Sequence, residues 1–171
     1  MQRFSIAILW IVVFAIASRA QNQSSAPLEL LDHLTGNWVL QGTIAGKQTT
    51  HDVQAAWILR HEYLQLHETS REKTPDGKPA YEAFVLISWD SKANQYTCLW
   101  LDSTSGGGLS SHVACKATPA ADSLPFIFTI SSSESLHTTF TYRKATDTWQ
   151  WVIDDLANGK TERFADVELS R

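Results

Sequence analysis

The sequence predicts an all-β protein: a single antiparallel up-and-down barrel of about ten strands, with a short N-terminal helix at its closed end. Short runs in which apolar and polar residues alternate indicate strands with one packed face and one wet face. Turn-forming residues separate these runs at regular intervals, which is typical of an antiparallel sandwich or barrel. One amphipathic segment near the start is the exception and predicts the helix.

The first 20 residues are typical of a secretory signal peptide. Arg3 gives a basic start, residues 4–17 form an apolar run of about 14 residues, and the small residue Ala20 suits cleavage. Cleavage after Ala17 is the alternative. The run is shorter than the roughly 20 residues that a spanning helix needs, so we expect no stable membrane insertion after cleavage. The mature protein is expected to be secreted or periplasmic.

The rest of the chain is expected to form a polar linker at 21–27 and one barrel domain at 28–171. Two of the 14 basic residues, Arg3 and Arg19, belong to the predicted signal, so 12 basic and 18 acidic residues remain. The mature chain is therefore acidic and has no basic cluster. This charge balance argues against nucleic acid as a partner.

Residues 27–34, PLELLDHL, predict the helix. A proline in the first turn, leucines along one face and Gly36 just beyond the last turn are start and stop signals. The predicted strands then follow at about 38–44, 49–59, 63–71, 80–89, 95–102, 109–117, 124–131, 136–144, 148–155 and 161–171.

The two cysteines, Cys98 and Cys115, predict a disulfide between the fifth and sixth strands. Both have the inward parity of their strands, and a hairpin through the glycine-rich connection would place them opposite each other. An exported chain favours a disulfide over a metal or redox pair. Two buried free thiols are the alternative.

Several short motifs carry a resemblance to known proteins. They are Leu31-x-x-Leu34-x-Gly36-x-Trp38-x-x-x-Gly42, Trp89-Asp90, Tyr96-x-x-x-Trp100-x-Asp102 and a closing Arg171. Together they resemble a secreted bacterial domain family of unknown function with a lipocalin-like barrel. More distantly, the chain is similar to the calycins, which include lipocalins, fatty-acid-binding proteins and nitrobindins. The resemblance covers nearly the whole mature chain, although its motifs are short and degenerate.

The calycin resemblance implies that Gly36, Trp38 and Arg171 form the structural base of the barrel. In calycins the tryptophan of G-x-W lies across the closed end, and a late arginine packs on it. The predicted connectivity leads to the same place, because the tenth of ten alternating strands must end where the first began. Arg171 shares the parity of Val167 and Leu169, so we expect it to point inward and stack on Trp38.

The resemblance and the aromatic content together favour a non-enzymatic barrel that binds a small apolar or amphipathic ligand. Six tryptophans remain after the signal, a high load for one domain. We expect seven aromatic residues around any cavity: Trp57, Trp100, Phe128, Phe140, Tyr142, Trp149 and Trp151. The alternative is that these side chains fill the interior completely.

The histidines provide no metal motif, so no metal site and no cofactor are expected. They are His33, His51, His61, His67, His112 and His137. His51 shares its strand face with apolar residues and is a candidate axial haem ligand, but the sequence favours a surface histidine there. Haem is also disfavoured because no histidine follows His137, a departure from the nitrobindin pattern.

Two carboxylates, Asp102 and Asp155, are weak catalytic candidates because each ends an upward strand on the inward parity. A hydrolase or isomerase that uses these mouth carboxylates is therefore the second interpretation. The third is a filled barrel that acts as a protein-interaction module, since the fourth and fifth strands are apolar on both faces. A cover from the helix or from a second subunit would explain those strands, so both a monomer and a homodimer stay open.

Overall fold

Across the residues that the structure describes, the chain forms a closed barrel with one short helix. The computed structural model describes residues 26–104, 108–109 and 113–171; the predicted signal peptide and residues 21–25 lie outside this part of the chain. The helix is α1 (Ala26–Leu34). The strands are β1 (Gly36–Ile44), β2 (Lys47–Ile58), β3 (Tyr63–Ser70), β4 (Glu82–Asp90), β5 (Gln95–Asp102), β6 (Ala114–Ala117), β7 (Ser123–Thr129), β8 (Glu134–Arg143), β9 (Thr148–Ala157) and β10 (Lys160–Ser170).

Each strand pairs antiparallel with the next one along the chain, and β1 pairs with β10 to close the barrel. This confirms the predicted fold. Strand β6 differs most from its predicted bounds of 109–117, because its ladder with β5 extends only from Ala114 to Ala117. Part of the preceding segment, residues 110–112, lies outside the described chain.

Helix α1 packs against the end of the barrel at which β1 begins. Its side chains Leu31 and Leu34 are fully buried there. The last turn of a helix leaves carbonyl groups without partners. Two indole N–H groups donate to such carbonyls: Trp38 Nε1 to Leu34 O at 2.7 Å and Trp149 Nε1 to His33 O at 3.3 Å. The helix therefore closes this end, as the sequence predicts.

The predicted contact between Arg171 and Trp38 is present at the closed end. The guanidinium carbon of Arg171 lies 4.2 Å from the centre of the Trp38 ring, and its Nη2 donates to Thr35 O at 3.1 Å. Gly36 leaves room for this arrangement, since a Cβ there would lie 3.3 Å from Arg171 Nη1. The Arg171 side chain lies beyond the end of β10 and is 49% exposed, so it covers the indole from the solvent side. The expectation that it points into the barrel is therefore wrong.

We expect Arg171→Ala to lower the free energy of unfolding by about 1 kcal/mol, because a solvent-exposed cation–π contact contributes about 0.5–1 kcal/mol. Urea denaturation measures this loss. Arg143→Ala is the matched control, since Arg143 is equally exposed and pairs with Glu168 at 3.0 Å on the outer surface. The free energy of unfolding should fall by no more than about 0.5 kcal/mol in Arg143→Ala. Equal losses in the two variants would contradict a specific role for the Trp38 contact.

The predicted disulfide is also present. Cys98 and Cys115 lie directly opposite each other in the β5–β6 ladder and are bonded, with their Cα atoms 4.9 Å apart. Both side chains are buried in the barrel core. The bond fastens the short strand β6 to the barrel, because only two residue pairs join β6 to β7.

Candidate functional site

Four of the predicted ligand residues meet inside the barrel and form what we call the aromatic wall: Trp100, Phe128, Phe140 and Trp151. Trp151 stacks on Phe140 with ring centres 4.7 Å apart, and its other neighbour is Trp100 at 5.3 Å. The edge of Phe128 meets Trp100 at 6.2 Å. These side chains come from strands β5, β7, β8 and β9, so the wall spans nearly half of the barrel circumference.

The other three predicted ligand residues, Trp57, Tyr142 and Trp149, lie at the closed end with helix α1. Trp57 Nε1 donates to the carboxylate of Asp32 at 2.7 Å. Tyr142 stacks on His33 at 4.5 Å and lies 5.0 Å from Trp149. These contacts hold the helix in place, so the structure separates the predicted set into a wall and a base. Strand parity shows which face a side chain is on but not its height along the barrel axis.

A buried histidine–glutamate pair lies on strands β2 and β3. His51 Nδ1 is hydrogen-bonded to Glu68 Oε1, and His51 Nε2 lies 2.7 Å from Thr49 Oγ1. Both His51 and Glu68 are almost completely buried. The expectation that His51 is a surface histidine is therefore wrong. Its inward parity with the apolar residues of β2 placed it in the core, and Glu68 compensates its polarity there.

Burial raises the pKa values of two groups at this site, Glu68 of the pair and the neighbouring Tyr81. Desolvation raises the pKa of Glu68 above its ordinary value, while the hydrogen bond from His51 acts in the opposite direction and the charge of Asp102 adds to the rise. Desolvation and the charge of Glu68 also raise the pKa of Tyr81, so its phenol stays protonated at all physiological pH values. We call Thr49, His51, Glu68 and Tyr81 the polar cluster.

The polar cluster and the aromatic wall form one continuous interior surface. Trp100 Nε1 donates to the hydroxyl of Tyr81 at 3.3 Å. The Tyr81 ring in turn stacks on His51 with centres 5.7 Å apart. A chain of ring contacts therefore crosses the barrel from β9 to β2, with apolar groups at one side and ionisable groups at the other.

Two buried polar atoms beside the aromatic wall have no hydrogen-bond partner within the described chain. They are Trp151 Nε1 and Thr138 Oγ1. Thr138 faces Ile153 in the β8–β9 ladder, so Trp151, two residues before Ile153, is its diagonal neighbour on the inner face. Leaving such a group unpaired costs about 1–3 kcal/mol, and folded proteins seldom tolerate it without a reason.

The two predicted mouth carboxylates have different surroundings. Asp102 is half-buried at the end of β5, and its Oδ1 accepts a hydrogen bond from Thr104 N at 2.7 Å. Asp155 is exposed on β9. The charge of Asp102 raises the pKa of Glu68. Glu68 is not among the site residues that the sequence predicts.

The described residues hold few groups suited to a metal or to haem. No three His, Cys, Asp or Glu side chains within the described ranges are placed to hold a metal ion. Both ring nitrogens of His51 are engaged in hydrogen bonds, one with Glu68 and one with Thr49. Of the six histidines, His112 lies outside the described residues.

The outer face of β4 and β5 is apolar, as the alternation predicts. Phe84 pairs across the ladder with Leu101, and Leu86 with Leu99. Phe84 is 40% exposed and stacks on His67 at 4.3 Å. Two covers were considered for these strands, the helix and a second subunit. Helix α1 packs at the closed end and leaves Phe84 exposed, so the helix is not that cover.

No protein-family model matches this chain, and no curated protein matches it at a significant level. Across the residues that the structure describes, no helix is long and apolar enough to cross a membrane. The functional interpretation therefore depends on the geometry of the barrel interior.

Proposed function

We propose that this protein is an exported calycin-type barrel that binds a small apolar or amphipathic molecule in its interior. The observation that carries the proposal is the pair of unpartnered polar atoms, Trp151 Nε1 and Thr138 Oγ1, buried beside the aromatic wall. Binding needs no chemical change of the ligand.

A core selected for stability alone would not keep these groups. Each unpaired buried donor costs free energy, and an apolar residue of similar shape would avoid that cost. Ligand pockets, in contrast, are mostly apolar with a few polar groups that fix the orientation of the ligand. The aromatic wall and the polar cluster have this composition.

Export is proposed from the predicted signal peptide, and the Cys98–Cys115 bond supports it, since disulfides persist in oxidising compartments. We expect protein recovered from the medium or periplasm of its own host to begin at Gln21. N-terminal sequencing of that material is the measurement. A chain that still begins at Met1 would contradict export by a cleaved signal.

We expect N-phenyl-naphthylamine, a neutral fluorescent probe, to bind saturably with a micromolar Kd, which corresponds to about −8 kcal/mol. Trp100→Leu removes part of the aromatic wall and should weaken binding about tenfold. Trp57→Leu is the matched control at the closed end, where Trp57 contacts Asp32, and should leave the Kd unchanged. Thermal unfolding of each variant shows that it is folded at the assay temperature.

Two results would count against the binding proposal. One is an absence of saturable binding for N-phenyl-naphthylamine and for a panel of neutral lipids and aromatic compounds. The other is an equal loss of affinity in Trp100→Leu and Trp57→Leu, which would place the probe away from the aromatic wall.

One observation favours an enzyme as a second candidate. Glu68, His51 and Thr49 are hydrogen-bonded in the order in which an acid orients a base beside a hydroxyl nucleophile. The test is the hydrolysis of naphthyl acetate by the wild-type protein and by Thr49→Val. Turnover that Thr49→Val abolishes would favour the enzyme, whereas equal background rates favour a binding protein.

A further inference from the structure

The unpartnered atoms and the charges of the barrel indicate what kind of ligand group the interior accepts. Trp151 Nε1 and Thr138 Oγ1 are buried on the inner face of neighbouring strands. Strand β3, on the opposite side of the barrel from β8 and β9, carries the buried residue Glu68. Every lysine and arginine of the described residues is exposed, so no basic side chain within those ranges is buried.

We propose that Trp151 and Thr138 form a subsite for an uncharged hydrogen-bond acceptor, such as the carbonyl or ether oxygen of a neutral amphipathic ligand. This inference rests on the proposed function and specifies the ligand class for the same interior.

The indole of Trp151 requires a hydrogen-bond acceptor on the ligand. An indole N–H can only donate a hydrogen bond, and the hydroxyl of Thr138 can donate as well. Diagonal neighbours on one face of a ladder are close enough for an aromatic side chain to reach across. A carbonyl oxygen has two lone pairs, so one ligand oxygen can accept from both groups.

The placement of charged side chains in the barrel favours an uncharged ligand group. A carboxylate beside Trp151 would be buried, and no lysine or arginine of the described residues is buried to compensate its charge. An ammonium group has only donors and would leave the Trp151 N–H without a partner. A neutral oxygen avoids both costs.

The decisive comparison uses four naphthalene derivatives with one substituent at the same ring position: a methyl ketone, an ethyl group, a carboxylate and an aminomethyl group. Their dissociation constants are measured at neutral pH by isothermal titration calorimetry. We expect the ketone to bind about tenfold more tightly than the ethyl compound, as one to two net hydrogen bonds would produce. The carboxylate and the amine should bind more weakly than the ketone.

Two variants remove the donors. Thr138→Val keeps the shape of the side chain and should weaken ketone binding about threefold to tenfold relative to binding of the ethyl compound. Trp151→Phe also removes part of the aromatic wall, so it should weaken binding of both compounds, with a further loss of about threefold to tenfold for the ketone. Thr139→Val is the matched control: it is the same substitution one residue along β8, on the outer face, and should change neither affinity. Thermal unfolding confirms that all three variants are folded.

The outcomes separate this inference from the proposed function. Equal loss of ketone and ethyl affinity in Trp151→Phe and Thr138→Val would overturn the acceptor subsite, as would tighter binding of the carboxylate or the amine. If N-phenyl-naphthylamine and the ethyl compound bind while the ketone has no advantage, only the acceptor subsite fails. If none of these probes binds, the proposed function itself fails.

Discussion

The substitution His51→Leu should lower the free energy of unfolding by about 3–5 kcal/mol at neutral pH. His51 and Glu68 are buried together, and each ring nitrogen of His51 has a partner. Removing the histidine leaves the carboxylate of Glu68 in the interior without its hydrogen-bond donor. Urea denaturation followed by tryptophan fluorescence measures the loss.

The pH dependence of this loss follows from the burial of Glu68. Burial raises the folded-state pKa of Glu68 above 4.5, its ordinary value, so the folded state binds the proton more tightly than the unfolded chain does. The hydrogen bond and the charge of His51 lower the pKa of Glu68, so this pKa is higher still in His51→Leu. The loss relative to the wild type is therefore full above the pKa of Glu68 in the variant, decreases as the pH falls from there to the wild-type value, and is constant below it, where both folded states bind the proton. A loss that does not change between these two pKa values would show that the uncompensated carboxylate is not its cause.

The double variant His51→Leu, Glu68→Met is the control for the pair. Replacing both partners of a buried ion pair with apolar residues of similar size is often neutral or stabilising, whereas breaking the pair is not. We expect the double variant to recover most of the stability lost in His51→Leu. A single variant that loses less than about 1 kcal/mol would contradict the buried pair.

The substitution Gly42→Ala should destabilise the protein by about 3–5 kcal/mol, because overpacking and backbone strain add together. Gly42 has φ +150°, and a Cβ there would lie 2.3 Å from Asp166 O and 2.7 Å from Val167 Cα. Both atoms belong to the backbone of β10, so strands β1 and β10 would have to separate where the barrel closes. Thermal and urea unfolding measure the change.

Gly46 offers the matched control for the close approach. Its φ is +76°, but a Cβ there would meet nothing within 4 Å. Gly46→Ala should therefore cost only the conformational penalty of about 1 kcal/mol. Equal losses in the two variants would mean that the contact between β1 and β10 is not what requires a glycine at position 42.

The fold could be predicted because a closed antiparallel barrel needs only local signals. Period-two alternation placed the inward faces, and turn residues placed the ends of the strands. The order of the strands then followed from up-and-down connection, which brought Arg171 back to Trp38. Strand β6 was the least accurate element: its described ladder with β5 covers Ala114–Ala117, and residues 110–112 of the predicted strand lie outside the described chain.

The candidate site was predicted only in part, because parity carries no information about height or about neighbours across strands. Trp57 and Trp100 both face inward, yet Trp57 contacts Asp32 at the closed end and Trp100 contacts Tyr81. Glu68 shares its parity with Leu64 and Leu66, and a charged residue on an apolar face was the signal that the sequence analysis did not use. Its partnership with His51 depends on the β2–β3 register, which the sequence alone does not specify.

The central claim, that the barrel interior binds a small neutral molecule at Trp151, is tested most directly by proton–nitrogen correlation NMR of the tryptophan side chains. Trp151→Phe assigns the indole N–H signal of Trp151. On saturation with the naphthyl methyl ketone, this signal should move downfield as the N–H gains an acceptor, while the signal of Trp38, already bonded to Leu34 O, should stay in place. A Trp151 signal that does not move while the ketone binds, or that moves no more than that of Trp38, would contradict the account.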